Sequence, residues 1–134
     1  MNQEKNKSDI LSVVKAHNKA WSIDENIDKQ MKFIHPNIQF IAPPYKKIIS
    51  GEKEYKDSYL DWMKHAKVHH FNELNPEITI FKDRKTAFVT YHIEMSFDFD
   101  SVKVDNWQGI DFMTLVNEDG NWKIISDMYA KMEE

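Results

Sequence analysis

The sequence predicts an α+β fold, with helices in the first half of the chain and an antiparallel meander in the second. Apolar residues recur at helical spacing up to about Val68, and β-rich segments joined by short turns follow. The 134 residues include only three Gly and four Pro, so they leave no low-complexity linker and can bury a substantial core. We therefore expect one domain over residues 1–134, ordered from about 8 to 131.

Three helices are expected before Val68. Ser8 or Asp9 can cap the first helix, whose apolar stripe contains Ile10, Val13, Val14, His17 and Trp21. A short second helix ends before Pro36 and contains Ile27, Met31 and Ile34. The stretch "NIQFIAPP" then predicts a short strand that ends at its two prolines. Gly51 opens the third helix, whose stripe contains Tyr55, Tyr59, Trp62, Met63 and Ala66.

The second half of the chain contains four β-rich segments: "EITIF", "TAFVTYHIEMSFDF", "NWQGIDFMTLV" and "NWKIISDMYA". Alternation in the second segment predicts one apolar face, formed by Ala87, Val89, Tyr91, Ile93, Met95 and Phe97. The third segment is apolar on both faces, with Ile110 and Phe112 opposite Met113. One face of the sheet would cover the helices, and the other is apolar enough to predict a homodimer contact.

Composition excludes several classes of function. The net charge of −4, with a single arginine at position 84, gives no basic surface for nucleic acid. Without cysteine there is no disulfide or thiolate chemistry. The polar start "MNQEKNKSDI" lacks a signal-peptide apolar region and no later segment could span a membrane, so a cytoplasmic location is expected. No phosphate loop or serine-hydrolase elbow occurs, and we expect no cofactor.

The stretch "GIDFMTLV" places a carboxylate in the middle of a buried strand. Asp111 shares its face with Gly109, Met113 and Leu115. A buried carboxylate without a partner is costly, and burial raises the pKa of a carboxyl group. The residues alone leave the role of Asp111 open: it accepts a hydrogen bond from His17 or a tyrosine, or it belongs to a pocket or to the solvated mouth of a cavity.

Four segments resemble the nuclear transport factor 2-like superfamily, in its SnoaL-like and ketosteroid-isomerase-like branch. They are "AHNKAWSIDENID", "FIHPNIQFIAPP" before "ISGEKEYKDSYLDW", the β meander, and "NEDGNWKIISDMY". The resemblance implies a cone-shaped roll, in which a strongly bent, mainly antiparallel sheet wraps around three N-terminal helices. It also implies a ligand cavity in the mouth of the cone and dimerisation through the outer sheet face.

The same resemblance assigns roles to individual residues. Asp111 matches a protonated aspartic acid that donates a hydrogen bond to an enolate in ketosteroid isomerases. The tyrosine that accompanies this acid falls at His17. The general base of those enzymes, an aspartate before a proline, falls at Ala42. Steroid isomerisation is therefore disfavoured, unless Asp127 substitutes for the missing base.

The sequence thus gives a set of candidate residues and two open functions. The candidate catalytic residues are Asp111, His17 and Asp127, and the candidate ligand-binding residues are Trp21, Tyr55, Tyr59, Trp62, Met113 and Tyr129. Parity does not decide which face of the last strand lines the cavity, since a bulge would exchange the two faces. A metal site along Asp61, His65, His69 and His70 is disfavoured against a solvated helix end. We expect acid/base catalysis on a small carbonyl or polyketide-like compound, or else a non-catalytic binder or dimerising interaction module.

Overall fold

The computed structural model describes residues 3–132, which form three helices and six strands. The helices are α1 (Gln3–Ser22), α2 (Ile27–Met31) and α3 (Glu52–His65). The strands are β1 (Ile34–Ile41), β2 (Ile49–Ser50), β3 (Ala66–Ile80), β4 (Thr86–Phe99), β5 (Val102–Glu118) and β6 (Asn121–Lys131). The predicted α+β order, with helices first and then a meander, is confirmed.

All six strands form one sheet in the order β2-β1-β6-β5-β4-β3. Every neighbouring pair is antiparallel except β1 and β6, which run parallel. Register shifts interrupt the β3–β4, β4–β5 and β5–β6 ladders, and such bulges bend a sheet. The core contains side chains of α1, of α3 and of one sheet face, so the helices cover that inner face.

The first two helices differ from their predicted bounds. Among the described residues α1 already begins at Gln3, so neither Ser8 nor Asp9 caps it. The polar first turns are compatible with a helix, and Lys5 pairs with Asp9 one turn later at 2.9 Å. Helix α2 ends at Met31, and Ile34 begins β1 instead of belonging to the helix.

The start of the meander also differs from the prediction. Helix α3 ends at His65, and Ala66 is the first residue of β3 instead of the last of the helical stripe. Strand β3 runs for 15 residues, of which the prediction included only the last part. The two-residue β2 was not predicted either, because its hydrogen bonds to Gln39 and Phe40 depend on tertiary pairing.

Alternation along β4 gives the predicted faces. The six apolar residues from Ala87 to Phe97 are all buried, and their neighbours in sequence are more exposed. On β5 the buried set is Gly109, Asp111, Met113 and Leu115, as the sequence predicted. Asp111 therefore lies on the inner face of the sheet, towards the helices.

A bulge in β6 decides which of its residues face inwards. Leu115 pairs with Ile124 and Thr114 pairs with Ser126, so Ile125 is an extra residue on β6. Because of this bulge, Asp127 is buried on the same face as Trp122 and Ile124, although it lies three residues after Ile124. Within residues 3–132, no helix has the length and apolar character needed to cross a bilayer.

Candidate functional site

A cavity of about 230 Å³ lies between the helices and the inner face of the sheet. Half of its lining residues are aromatic, and they include Trp21, Phe40, Tyr59, Trp62, Phe71 and Trp107. Among the described residues that line it, none is basic, and the only ionisable carboxyl groups are those of Asp111 and Asp127. The cavity is therefore an apolar concavity with its acidic groups concentrated at one place.

The two carboxyl groups come from neighbouring strands. Asp111 of β5 lies opposite Tyr129, and Asp127 of β6 lies opposite Met113, so the aspartates are diagonal neighbours on the inner face. Their relative exposures are 3% and 5%, and their carboxyl groups are within hydrogen-bonding contact of each other. Such a contact requires a proton between the two groups.

Burial controls the protonation of this pair. Desolvation raises the pKa of Asp111, although hydrogen bonds from its neighbours act against the shift. The pKa of Asp127 is raised well above its ordinary value by desolvation and by the charge of Asp111. Two carboxylates in contact cannot both ionise readily, so the arrangement favours one proton shared by the pair. Apart from this shared proton, no donor of the described residues reaches the buried Oδ1 of Asp127.

A tyrosine and an asparagine connect Asp111 with helix α1. The hydroxyl of Tyr91 donates to Asp111 Oδ2 at 2.5 Å, and the backbone N–H of Phe112 donates to Asp111 Oδ1 at 3.1 Å. Asn18 Nδ2 donates to the Tyr91 hydroxyl oxygen at 2.9 Å. Asp111 is thus held by donors on both oxygens, within a hydrogen-bond network that begins on α1.

His17 lies deeper than the cavity and does not contact Asp111. Its Nε2 lies 2.8 Å from the Tyr55 hydroxyl, and its Nδ1 lies 3.0 Å from Asn18 Oδ1. Desolvation lowers the pKa of His17 to about 4, so the imidazole is neutral at neutral pH. The predicted direct pair of His17 and Asp111 is therefore wrong: Asp111 bonds to Tyr91 and contacts Asp127 instead.

The other predicted ligand-binding residues fall into two groups. Trp21, Tyr59, Trp62 and Tyr129 line the cavity. Tyr55 and Met113 do not, because both are fully buried in the core behind it. Met113 shares a face with Asp111 but lies two residues further along β5, where its side chain belongs to the buried hydrophobic core. Ala42 also lines the cavity, and offers a methyl group where the resemblance expects a base.

The ridge considered as a metal site does not form. Because α3 ends at His65, His69 and His70 lie on β3 and not one turn further along the helix. His65 Nδ1 lies 2.7 Å from Asp100, and His69 Nε2 lies 3.0 Å from Asp98. Across residues 3–132, no group of three or more His, Asp or Glu side chains is arranged to hold a metal ion.

Several residues of the site were not predicted: Asn18, Phe71, Tyr91 and Trp107. Tyr91 carried a signal, because a tyrosine on the apolar face of a strand needs a partner for its hydroxyl. Asn18 follows His17 on the buried side of α1, where a buried amide also needs partners. Phe71 and Trp107 carried no signal, since their positions depend on bulges in the ladders of β3 and β5.

This geometry can be compared with known proteins. The family model of the SnoaL-like domain matches residues 10–129. None of the curated proteins compared with this chain is significantly similar to it in sequence. Among solved structures, a ketosteroid isomerase-like protein from Erwinia carotovora atroseptica has a TM-score of 0.81 at 16% identity, covering 100% of both chains.

Two further structures share the fold. An NTF2-like protein from Cytophaga hutchinsonii has a TM-score of 0.78 at 19% identity, covering 98% of this chain and 100% of its own. A protein with a cystatin-like fold from Caulobacter vibrioides has a TM-score of 0.78 at 11% identity, covering 96% and 91%. At these identities the likeness concerns the fold, whereas the family model spans most of the chain. The chain belongs to the SnoaL-like domain family.

Proposed function

We propose that the protein binds a small, mainly apolar carbonyl compound in the cavity and catalyses proton transfer on it. One observation carries the proposal: two neighbouring buried carboxyl groups, both with a raised pKa, open into an aromatic cavity. A few polar groups converging in an apolar concavity are typical of small-molecule sites. A solved ketosteroid isomerase-like protein shares the fold that carries this site.

One carboxylic acid beside one carboxylate is suited to enolisation. The acid donates its proton to the carbonyl oxygen, while the carboxylate accepts a proton from the adjacent carbon. A C–H bond breaks, an O–H bond forms, and the pair again holds one proton afterwards. Delivery of the proton to another carbon, while the carboxylate takes back the enol O–H proton, would complete an isomerisation. Departure of a hydroxyl group from the β-carbon as water, with the proton of the carboxylic acid, while the carboxylate takes the enol O–H proton, would complete a dehydration.

The cavity also limits the substrate. Its volume of about 230 Å³ is below the ~300 to 1,000 Å³ common for ligand sites, which favours a compound of about one or two rings. A four-ring steroid is disfavoured by this volume and by the methyl group of Ala42. Because the described lining residues include carboxyl groups and no basic group, an anionic substrate would be repelled.

The proposal can be tested with β-tetralone, a two-ring ketone with exchangeable protons beside its carbonyl group. We expect the protein to accelerate exchange of these protons in heavy water, measured by proton NMR. Asp111→Asn and Asp127→Asn should each slow the exchange by about 100-fold or more, as expected for loss of a general acid or base. Asp119→Asn, at the exposed β5–β6 turn, is the matched control. Equal exchange in all four proteins would contradict the proposal.

The second candidate function is non-catalytic binding. It is favoured because Ala42, at the position where the resemblance expects a general base, has only a methyl group. In that case β-tetralone or a similar ketone would bind without exchange. Tryptophan fluorescence reports binding separately, since three of the tryptophans line the cavity: Trp21, Trp62 and Trp107. Saturable fluorescence change with no accelerated exchange would support the binder and exclude the enzyme for this compound.

A homodimer through the outer sheet face is part of the proposal. Phe88 and Phe112 stack on that face with ring centroids 6.2 Å apart, and Met128, which pairs with Phe112, is 40% exposed. An apolar sheet face of this kind is typical of a subunit contact. Sedimentation at micromolar concentration should show a dimer, which Phe112→Lys disrupts and Leu60→Lys, on exposed α3, does not. A monomeric wild-type protein would contradict this contact.

A further inference from the structure

We propose that Trp21, Asn18 and Tyr91 form a one-way chain of hydrogen bonds that keeps Asp111 ionised and places the shared proton on Asp127. The chain makes Asn18 and Tyr91 positioning residues. Its catalytic meaning, with Asp127 as the acid and Asp111 as the base, rests on the proposed function. The position of the proton does not rest on the proposed function, because it follows from the hydrogen-bond donors and acceptors of the protein alone.

The chain begins at a group that can only donate. The indole Nε1–H of Trp21 donates to Asn18 Oδ1 at 3.1 Å, which fixes the oxygen side of the amide. On the other side, Asn18 Nδ2 donates to Glu73 Oε2 at 3.0 Å, an acceptor when ionised. A flipped amide would set a nitrogen against the indole N–H and an oxygen against a carboxylate. The orientation of Asn18 is therefore determined by its neighbours.

His17 reinforces the same orientation. Because Asn18 Oδ1 can only accept, His17 Nδ1, 3.0 Å away, carries the proton of the neutral imidazole. Nε2 is then the acceptor, and the Tyr55 hydroxyl donates to it at 2.8 Å. The depressed pKa of His17 agrees with a neutral ring that donates only from Nδ1. His17 thus acts on the carboxyl pair through Asn18, without contacting it.

The second link gives the Tyr91 hydroxyl a direction. Its oxygen accepts from Asn18 Nδ2 at 2.9 Å, so its proton is directed to Asp111 Oδ2 at 2.5 Å. The backbone N–H of Phe112 occupies Asp111 Oδ1. With a donor on each oxygen, Asp111 is best satisfied as a carboxylate, since hydrogen bonds to the charged form favour it.

Asp127 has fewer donors than Asp111. The backbone N–H of Met128 favours its charged form, but no donor from the described residues reaches its buried Oδ1. Ionisation of Asp127 would therefore leave a charge with less stabilisation than ionisation of Asp111. Desolvation and the charge of Asp111 raise the pKa of Asp127, in the direction that the hydrogen bonds indicate. The resemblance implied a protonated Asp111. The chain reverses that assignment, because Tyr91 supplies Asp111 with a donor.

The test is carboxyl-carbon NMR of ligand-free protein carrying labelled aspartate, with Asp111→Asn and Asp127→Asn used to assign the two signals. At about pH 7 we expect Asp127 at the shift of a carboxylic acid and Asp111 at that of a carboxylate. Tyr91→Phe should raise the titration midpoint of Asp111 by about 1 to 2 pH units, the equivalent of one hydrogen bond to a charged group.

The controls separate this effect from general changes in the cavity. Tyr129→Phe removes a neighbouring hydroxyl on the same face and should leave the order of the two midpoints unchanged. If Tyr91→Phe does not fold, Trp21→Phe removes the first donor of the chain and should shift Asp111 in the same direction. A protonated Asp111 beside an ionised Asp127 in the wild type would overturn the proposal, as would an unchanged Asp111 midpoint in the folded chain variant. Since no ligand is present, failure here and failure of the exchange assay are distinguishable.

Discussion

Replacement of His17 by glutamine should remove a pH-dependent part of the protein's stability. Burial lowers the pKa of His17 from 6.5 to about 4, so the folded state binds its proton more weakly than the unfolded state does. A group with a depressed folded pKa stabilises the fold fully above its unfolded pKa, and this contribution is lost as pH falls through the folded pKa. The relevant window is therefore from about pH 6.5 down to about 4.

The magnitude follows from the size of the depression. A difference of about 2.5 pH units corresponds to about 3 kcal/mol of unfolding free energy lost by the wild type across the window. A glutamine side chain cannot titrate, so the variant lacks this loss. The advantage of the wild type over His17→Gln should be constant above about pH 6.5 and should shrink by about 3 kcal/mol towards pH 4.

Urea unfolding at a series of pH values measures this difference directly. The raised pKa values of the carboxyl pair also make stability depend on pH, but they are present in both proteins and largely cancel in the comparison. The plateau above pH 6.5 serves as the internal control. A stability difference that stays the same from neutral pH to about pH 4.5 would refute the reasoning, because His17 would then titrate alike in both states.

Three further changes test the packing and the polar network by urea unfolding. Gly109→Ala should destabilise the protein by about 1 to 3 kcal/mol. The added Cβ would lie 2.6 Å from the Trp107 ring and 2.7 Å from a backbone oxygen. A variant as stable as the wild type would contradict this close approach. Tyr55→Phe should cost about 1 to 2 kcal/mol, since its hydroxyl bonds Gln30 at 3.1 Å and the buried imidazole at 2.8 Å; no loss would show that other partners replace it. Asp127→Asn should be more stable than the wild type at alkaline pH. The raised pKa of Asp127 in the folded state means that the wild type loses stability as the pH rises. A variant less stable than the wild type at alkaline pH would count against a buried carboxylic acid at position 127.

The inner face of the sheet could be predicted because alternation is a local property. Residues Ala87 to Phe97 and the placement of Asp111 required only the period of two along a strand. The family resemblance supplied the topology, which local patterns do not contain. Asp127 could not be placed by parity, because the bulge at Ile125 exchanges the faces of β6.

The partner of Asp111 depended on relations between distant elements. His17 and Tyr91 both face inwards, and either could bond to Asp111. Choosing between them required knowing how α1 is positioned relative to β4. In the structure the imidazole is directed to Tyr55, while Asn18, one residue later, reaches Tyr91. The predicted contact from α1 to the carboxyl group and the observed one thus differ by a single position along the helix. The direction of each hydrogen bond decides which carboxyl group holds the proton. That direction can be determined only once the positions of all donors and acceptors are known.

Titration of tryptophan fluorescence with an uncharged and an anionic two-ring compound most directly tests whether the cavity is a site for small, uncharged molecules. β-Tetralone should give a saturable change, because Trp21, Trp62 and Trp107 line the cavity. Naphthalene-2-carboxylate, of similar size, should bind at least about tenfold more weakly at neutral pH, since its charge would lie near the ionised member of the carboxyl pair and the described lining residues include no basic group. Equal or tighter binding of the carboxylate, or no saturable response to either compound, would contradict the proposed site.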